Sequence, residues 1–300
     1  MKKEHILILA SWSITAINDS YFIPQVHKLY LDFVASTYAK VHLIVPVVTS
    51  TKIDNKLSKI VQSNIQIHKM PNFNSYLGAQ IHYLKYRKAI KTIAEEVDLI
   101  YCRVPDPFCW MPALITNKPA IMHFVGDTID ATKNNQIWST IKKKIMIAGY
   151  YLEYSKIIKA AKKTTKVFTN GSHIAVKLRK KGIDAIPIIS SAISTEDFPA
   201  EFKSLKISPI RLIYVGYLRG AKGIDTLIEV LLLLKEHGVD FRFDIVGEGD
   251  MYQQLQEVII TQNLNDKIKL WGYVNDRQLL LNLLRSSDIF FFPSLSEGSP

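Results

Sequence analysis

RLIYVGYLRGAKG, Arg211 to Gly223, opens as a β-rich run, Leu212 to Val215, and halts at Gly216. A polar loop follows. Gly223 then opens IDTLIEVLLLLKEHG, whose apolar residues recur at helical spacing as far as Gly238. Strand, loop and helix in that order make one βα unit. The first N–H groups of such a helix lack partners within it, its dipole favours negative charge, and Arg219 and Lys222 stand beside it. The loop reads either as an ordinary turn with solvated cations or as an anion site.

Working outward, three more strand-to-turn junctions follow. FRFDIVGEGD (241–250) and KIKLWGYV (267–274) each end a strand in a glycine turn, at Gly247-Glu248-Gly249 and just before Tyr273 and Val274. The run Asp288 to Phe292 enters Glu297-Gly298-Ser299-Pro300, and its apolar residues predict a strand covered on both faces. Upstream, HILILA (5–10), VHLIVPV (41–47), NIQIHKM (64–70), DLIYCR (98–103), PAIMHFV (119–125), KVFTN (166–170) and AIPIIS (185–190) alternate with helical patterns near 22–36 and 78–96. That rhythm predicts βα units on a mostly parallel sheet. Two domains are expected, residues 1–200 and 201–300, joined through the polar EFKSLKISP (201–209).

Composition excludes several classes. With 48% hydrophobic and 22% charged residues the chain reads as globular. MKKEHILILA reads as a first buried strand rather than a signal peptide, and no apolar run is long enough to span a bilayer. Two cysteines, Cys102 and Cys109, make no disulfide framework, and the eight histidines show no zinc spacing. A cytoplasmic protein, peripheral on the inner face of the membrane, is expected. The net charge of +11 is local: residues 133–181 hold thirteen Lys or Arg and one acid, Glu153. Within them, 136–163 mixes aromatic, aliphatic and lysine residues at helical spacing, with Gly149-Tyr150-Tyr151 as a candidate break. It is either a solvated surface helix or an interfacial helix on anionic lipid, with Trp138 and tyrosines near the headgroups. Nucleic acid ranks last, because no recognition motif accompanies the basic residues.

In parallel sheets, ligands sit past the carboxyl ends of strands. Arg103 ends one strand and either holds an anionic group or pairs with Asp106, the pairing being preferred. Gly126-Asp127 follows another, where Asp127 is also a natural helix N-cap. His123, inside the apolar strand, reads as a satisfied core residue.

The ordered set G-x-L-x-x-x-K-G, strand-G-E-G, strand-G-x-V and F-P-S-x-x-E-G-x-P resembles retaining glycosyltransferases of family 4, over 209–300 closely and upstream more loosely. The resemblance implies a GT-B fold, two Rossmann-like domains facing across a cleft, with a nucleotide-diphosphate sugar as donor and no metal or other cofactor. A saccharide or lipid-linked saccharide is the implied acceptor, in cell-surface polysaccharide assembly. Asp127 and Glu297 become the catalytic candidates. Gly216, Arg219, Lys222, Gly223, Gly247, Glu248, Tyr273, Val274, Gly298 and Ser299 become donor-binding, and Arg103 and Gly126 acceptor-side.

The chain departs from the family's pattern in four places. The loop SWSITAINDSYF (11–22) has no glycine, Tyr217 stands where the family has Arg, and SSAISTEDF (190–198) replaces an Asn-Gly motif. The second glutamate of the family's Glu-x7-Glu motif falls beyond Pro300. The resemblance therefore implies a C-terminally truncated enzyme with an incomplete second domain. The alternative reading is a non-catalytic nucleotide- or saccharide-binding remnant. A Rossmann dehydrogenase is disfavoured by the missing G-x-G-x-x-G.

Overall fold

A computed structural model describes residues 4–10, 12–52, 54, 56–135, 138–189, 197–198 and 208–294. The chain divides into two compact units. In chain order the first holds β1 (His5–Leu9), β2 (Ile14–Ile17), β3 (Ser20–Pro24), α1 (Gln25–Thr37), β4 (Lys40–Thr49), β5 (Leu57–Lys59) and β6 (Ile65–Met70). It continues with α2 (Tyr76–Gln80), α3 (Tyr83–Ala94), β7 (Leu99–Val104), α4 (Met111–Ile115), β8 (Ala120–Phe124), α5 (Thr128–Lys133), α6 (Thr140–Ala161), β9 (Lys166–Asn170), α7 (Ser172–Arg179) and β10 (Ala185–Ile188). The second holds β11 (Ile210–Val215), α8 (Ile224–Glu236), β12 (Phe241–Val246), α9 (Tyr252–Thr261), β13 (Ile268–Gly272), α10 (Arg277–Ser286) and β14 (Ile289–Phe290).

The strands expected upstream form one parallel array in the order β10-β9-β8-β7-β1-β4-β6. Alternation along each strand splits the core in two. Leu7, Leu9, Cys102 and Met122 face the cluster covered by α3, α4, α6 and α7, whereas Ile6, Ile8, Leu43 and Val45 face the cluster under α1. Both cysteine thiols are buried and unpaired. All carboxyl ends of this array open on one edge.

Three strands escape the sequence reading. Residues 11–22 are not a plain loop: β2 and β3 form an antiparallel hairpin, β2 lies parallel beside β4, and β5 closes the edge. The turn is Asn18-Asp19, with φ of 44° and 59°. Two successive left-handed residues are what a type I′ hairpin demands, and Asn and Asp tolerate them best after glycine. The helix expected from Phe22 accordingly starts at Gln25.

The expected break at Gly149 does not occur, and α6 runs unbroken for 22 residues. Ser139 caps its start, accepting the Lys142 N–H, and Glu153, Ile157, Ala160 and Ala161 bury its second half. One interior glycine costs a helix only about 1 kcal/mol, less than that packing returns.

The second unit's sheet runs β13-β12-β11-β14, all parallel. Gly223 N-caps α8 in the left-handed region, and Gly238 ends it at φ 63°. The strand expected over Asp288–Phe292 is shorter, and it is not covered on both faces: Ile289 is 43% and Phe290 53% exposed. Among the described residues β14 has a strand neighbour on one side alone, which explains why its apolar side chains meet solvent.

Candidate active site

Because the second unit's strands are parallel, the loops after β11, β12, β13 and β14 emerge on one edge. Backbone hydrogen bonds then stitch them together. Gly216 N–H donates to the Val246 carbonyl at 3.0 Å, Gly247 N–H to the Gly272 carbonyl at 2.8 Å, and Leu218 N–H to the Glu248 carbonyl at 2.9 Å. The Ser294 hydroxyl donates to the Ala221 carbonyl at 3.4 Å. The stitching requires glycine where backbones touch. A Cβ on Gly247, at φ 140°, would lie 1.8 Å from the Gly216 carbonyl oxygen. No side chain fits there.

Three short motifs and the described start of a fourth, 292–294, thereby share one mouth. Lys222 ends a single 3-10 turn, Gly220–Lys222, immediately before α8, and its ammonium lies 5.9 Å from the centre of the Phe292 ring. Arg219 is exposed, with its guanidinium over the Tyr217 ring at 5.3 Å. The residue found where the family has Arg thus carries a neighbouring Arg on its face. Glu248 is exposed beside Gly247, and Tyr273 is exposed after β13. Val274 instead packs, partly buried, against Ile213, Val246 and Leu283, so its side chain belongs to the edge of the core. Asp276 caps α10 through the N–H groups of Gln278 and Leu279. The Asp197 carboxylate pairs with Arg277, and the Asp197 carbonyl accepts from Arg285 at 3.0 Å. Glu297, Gly298 and Ser299 lie outside the described residues.

In the first unit, Asp127 caps α5: one carboxylate oxygen accepts from Ile129 N–H at 2.8 Å and from Asp130 N–H at 3.1 Å. Its other oxygen takes a hydrogen bond from Lys177 at 3.1 Å. Lys177 also pairs with Asp130, which His173 meets at 2.8 Å. Burial alone would raise the Asp130 carboxyl, but the Lys177 and His173 donors outweigh it and hold it below its ordinary range. Burial likewise pulls the Lys177 ammonium down, and its bonds to Asp130 and Asp127 more than offset this. Gly126 and Asp127 border a groove with Pro105, Thr128, Asn135 and Trp138. Trp138 therefore lines this groove, with Lys142 over its ring at 4.8 Å. Lys177 escaped the sequence reading, since nothing in SHIAVKLR sets it apart from its cationic neighbours.

The preferred pairing of Arg103 with Asp106 is not found. Strand alternation puts Tyr101 and Arg103 on the α1 face of the sheet, whereas Asp106 is buried beyond the strand, accepting from Phe108 N–H at 2.8 Å. Burial first, then the nearby Glu153 carboxylate, pushes the Asp106 carboxyl up to about 7. His123 is a satisfied core residue, as its strand context predicts. It is bonded to the Tyr101 hydroxyl at 2.5 Å and to Asn170 Oδ1 at 2.8 Å.

With this geometry in view, residues 197–300 match the family profile described as Glycosyl transferases group 1. The amylovoran biosynthesis glycosyltransferase AmsK of Erwinia amylovora is 31% identical over 113 residues, 38% of this chain and 28% of that protein. The UDP-Gal:alpha-D-GlcNAc-diphosphoundecaprenol alpha-1,3-galactosyltransferase of Escherichia coli is 27% identical over 205 residues, 63% of this chain and 49% of that protein. The chain thus spans about a quarter to a half of the length of these two curated relatives. The crystal structure of WaaG, a glycosyltransferase involved in lipopolysaccharide biosynthesis, superposes with a TM-score of 0.60 at 12% identity, covering 98% of this chain and 76% of WaaG. At that identity the likeness speaks for the fold alone. The second unit accordingly matches the Glycosyl transferases group 1 profile, and the two Rossmann-like units have the fold of GT-B glycosyltransferases.

Proposed function

We propose that the protein is a retaining glycosyltransferase of cell-surface polysaccharide assembly. It moves a hexosyl unit from a nucleotide-diphosphate sugar to a saccharide or lipid-linked saccharide. The observation that carries this reading is the convergence of the loops after β11 to β14 on one mouth, with Lys222 and Arg219 at the start of α8. Transfer of a sugar needs positive charge where the diphosphate leaves, and preorganised cations at a helix start supply it. The backbone around Gly216, Gly223, Gly247 and Glu248 would approach the nucleotide, and Tyr273 with the Val274 backbone would receive the base. Glu297, Gly298 and Ser299 would hold the sugar hydroxyls.

On the acceptor side, Gly126 and Asp127 stand at the strand mouth, with Asp127 oriented by Lys177. In the reaction, the acceptor hydroxyl oxygen bonds to the anomeric carbon as the bond to the diphosphate oxygen breaks. The hydroxyl proton passes to the departing phosphate on the same face, so the anomeric configuration is retained. The relatives' acceptors, among them a diphosphoundecaprenol-linked sugar, suggest a membrane-bound partner. Support for a peripheral, cytoplasmic-face position comes from α6. Ile141 is 72% and Leu152 75% exposed, and Lys142 and Lys144 are exposed beside them. Tyr76 of α2 meets Tyr150 of α6 at 5.3 Å, which adds the exposed Leu77 and Ile81 to the same region. An apolar stripe flanked by lysines suits an anionic lipid surface. Among the described residues no helix is long and apolar enough to cross a membrane.

Release of nucleoside diphosphate from a panel of nucleotide sugars, with NMR of the product anomer, tests the proposal. A retained configuration is expected, and an inverted one would reject the mechanism.

A further inference from the structure

Arg103 is built into the first unit without a counterion. It lies near the carboxyl end of β7, on the sheet face covered by α1, and is directly opposite His123 in the β7–β8 register. Among the described residues its side chain is in no hydrogen bond or ion pair, and its Nε is sealed from solvent with no acceptor. The Trp12 indole N–H, just past the end of β1, is likewise buried without an acceptor. Leaving two desolvated donors unmet is destabilising, more so for the charged one. A fold keeps such a cost where a ligand relieves it.

Among the described residues no carboxylate pairs with the guanidinium. Trp12 stacks on His27 at 5.0 Å, and Tyr30 packs against Tyr101 at 5.8 Å. Tyr101 bonds to His123 Nδ1 at 2.5 Å, and His123 Nε2 bonds to Asn170 Oδ1 at 2.8 Å, so the donor nitrogen of the Asn170 carboxamide is left over. Burial and then the Arg103 charge pull His27 down to about 4, burial also lowers His123, and burial raises both tyrosines. The result is one cation and spare N–H donors in an aromatic surround, at the edge where strand ends β1, β7, β8 and β9 meet.

We propose that Arg103, with the Asn170 carboxamide across its register neighbour His123 and the Trp12–His27 stack as a wall, binds an oxyanion carried by the acceptor saccharide, a phosphate ester or a carboxylate. A planar guanidinium pairs bidentately with either group. This specificity role rests on the glycosyltransfer reading, but the binding itself can be measured without turnover.

The test uses the whole chain, titrated by NMR with methyl glucoside, glucose 6-phosphate and glucuronic acid, and separately with a nucleoside diphosphate. Saturable binding of an anionic sugar, at least tenfold tighter than methyl glucoside, is expected. Whether the phosphate or the carboxylate sugar binds tighter identifies the source of the oxyanion. Arg103→Met should lose that preference, and Arg103→Lys should keep part of it, while nucleoside diphosphate binding is unchanged. Arg103→Met should also unfold at a higher temperature than the parent, since a ligand-free buried donor is removed. The proposal fails if the parent binds charged and neutral sugars alike. It fails equally if Arg103→Met lowers the unfolding temperature and leaves anionic-sugar binding intact, the outcome for an arginine that serves only packing. Anion binding that depends on Arg103, with no nucleotide binding in the second unit, would keep this site and remove the glycosyltransfer reading.

Discussion

A Cβ placed on Gly223 would lie 2.0 Å from the carbonyl oxygen of Pro293. The start of α8 and the segment after β14, seventy residues apart in sequence, are therefore in backbone contact, and this contact closes one side of the candidate donor mouth. Gly223 is also held at φ 73°. Gly223→Ala should cost about 1–3 kcal/mol from the backbone conformation alone, with steric displacement of Pro293 added. Denaturant unfolding of the variant checks it. An unchanged midpoint would mean that the two segments do not meet as described.

Lys222→Ala should weaken nucleoside diphosphate binding by about 1.5–3 kcal/mol, the range for hydrogen bonds to charged groups. Arg219→Ala should have a smaller effect, because its guanidinium lies over the exposed Tyr217 ring. Isothermal titration distinguishes the two variants. A larger loss for Arg219 than for Lys222 would reverse the assignment.

Asp127→Asn separates structure from chemistry. Asparagine caps helices as well as aspartate does, and the Lys177 pair, partly exposed, contributes no more than about 1 kcal/mol. Turnover should fall while stability barely moves. Equal loss of both would make Asp127 a cap and nothing more.

Asp106 supplies a pH signature. Its carboxyl titrates at about 7 in the fold against 3.8 in the unfolded chain, so the fold holds the extra proton between those values. The stabilisation is complete below the unfolded value and is lost as pH rises through about 7, on the order of a few kcal/mol in all. Asp106→Asn keeps an acceptor for Phe108 N–H and removes the titration. Its stability should fall less than the parent's as pH rises from about 4 to about 7, the window set by the two values. Parallel curves for the two proteins would contradict the assignment.

Replacing Lys142, Lys143 and Lys144 together with Gln should reduce cosedimentation with anionic vesicles, and added salt should reduce the parent's binding likewise. Equal binding to neutral and anionic vesicles would remove the electrostatic part of the membrane reading.

Much of the architecture was legible in the sequence because it rests on periodicity and glycine. Runs such as HILILA and PAIMHFV are apolar on both faces, which is how parallel strands read, and the glycine turns at Gly216, Gly247 and Gly272 mark where backbones cross. The β2–β3 hairpin was missed because Asn18-Asp19 carries no glycine, although the pair is itself a turn signal. Gly149 is a local breaker in the sequence, but the packing of Tyr150, Glu153 and Ile157 around it holds the helix through. Arg103 and Lys177 were unreadable for a different reason. A cation's partner is set by which face of which strand or helix it leaves from: Lys177 meets Asp127 and Asp130, far off in sequence, and the Arg103 Nε meets no acceptor among the described residues. Proximity suggested Asp106 for Arg103, and strand alternation sends the two side chains apart.

The central claim is that the mouth formed by the loops after β11 to β14 binds a nucleotide-diphosphate sugar. Saturation-transfer NMR of the protein with a panel of nucleotide sugars, run beside Lys222→Ala, tests it most directly. The account predicts saturable binding that needs the diphosphate, is weaker for the nucleoside alone, and drops in Lys222→Ala. Absence of binding across the panel, or equal binding by the parent and Lys222→Ala, would contradict it.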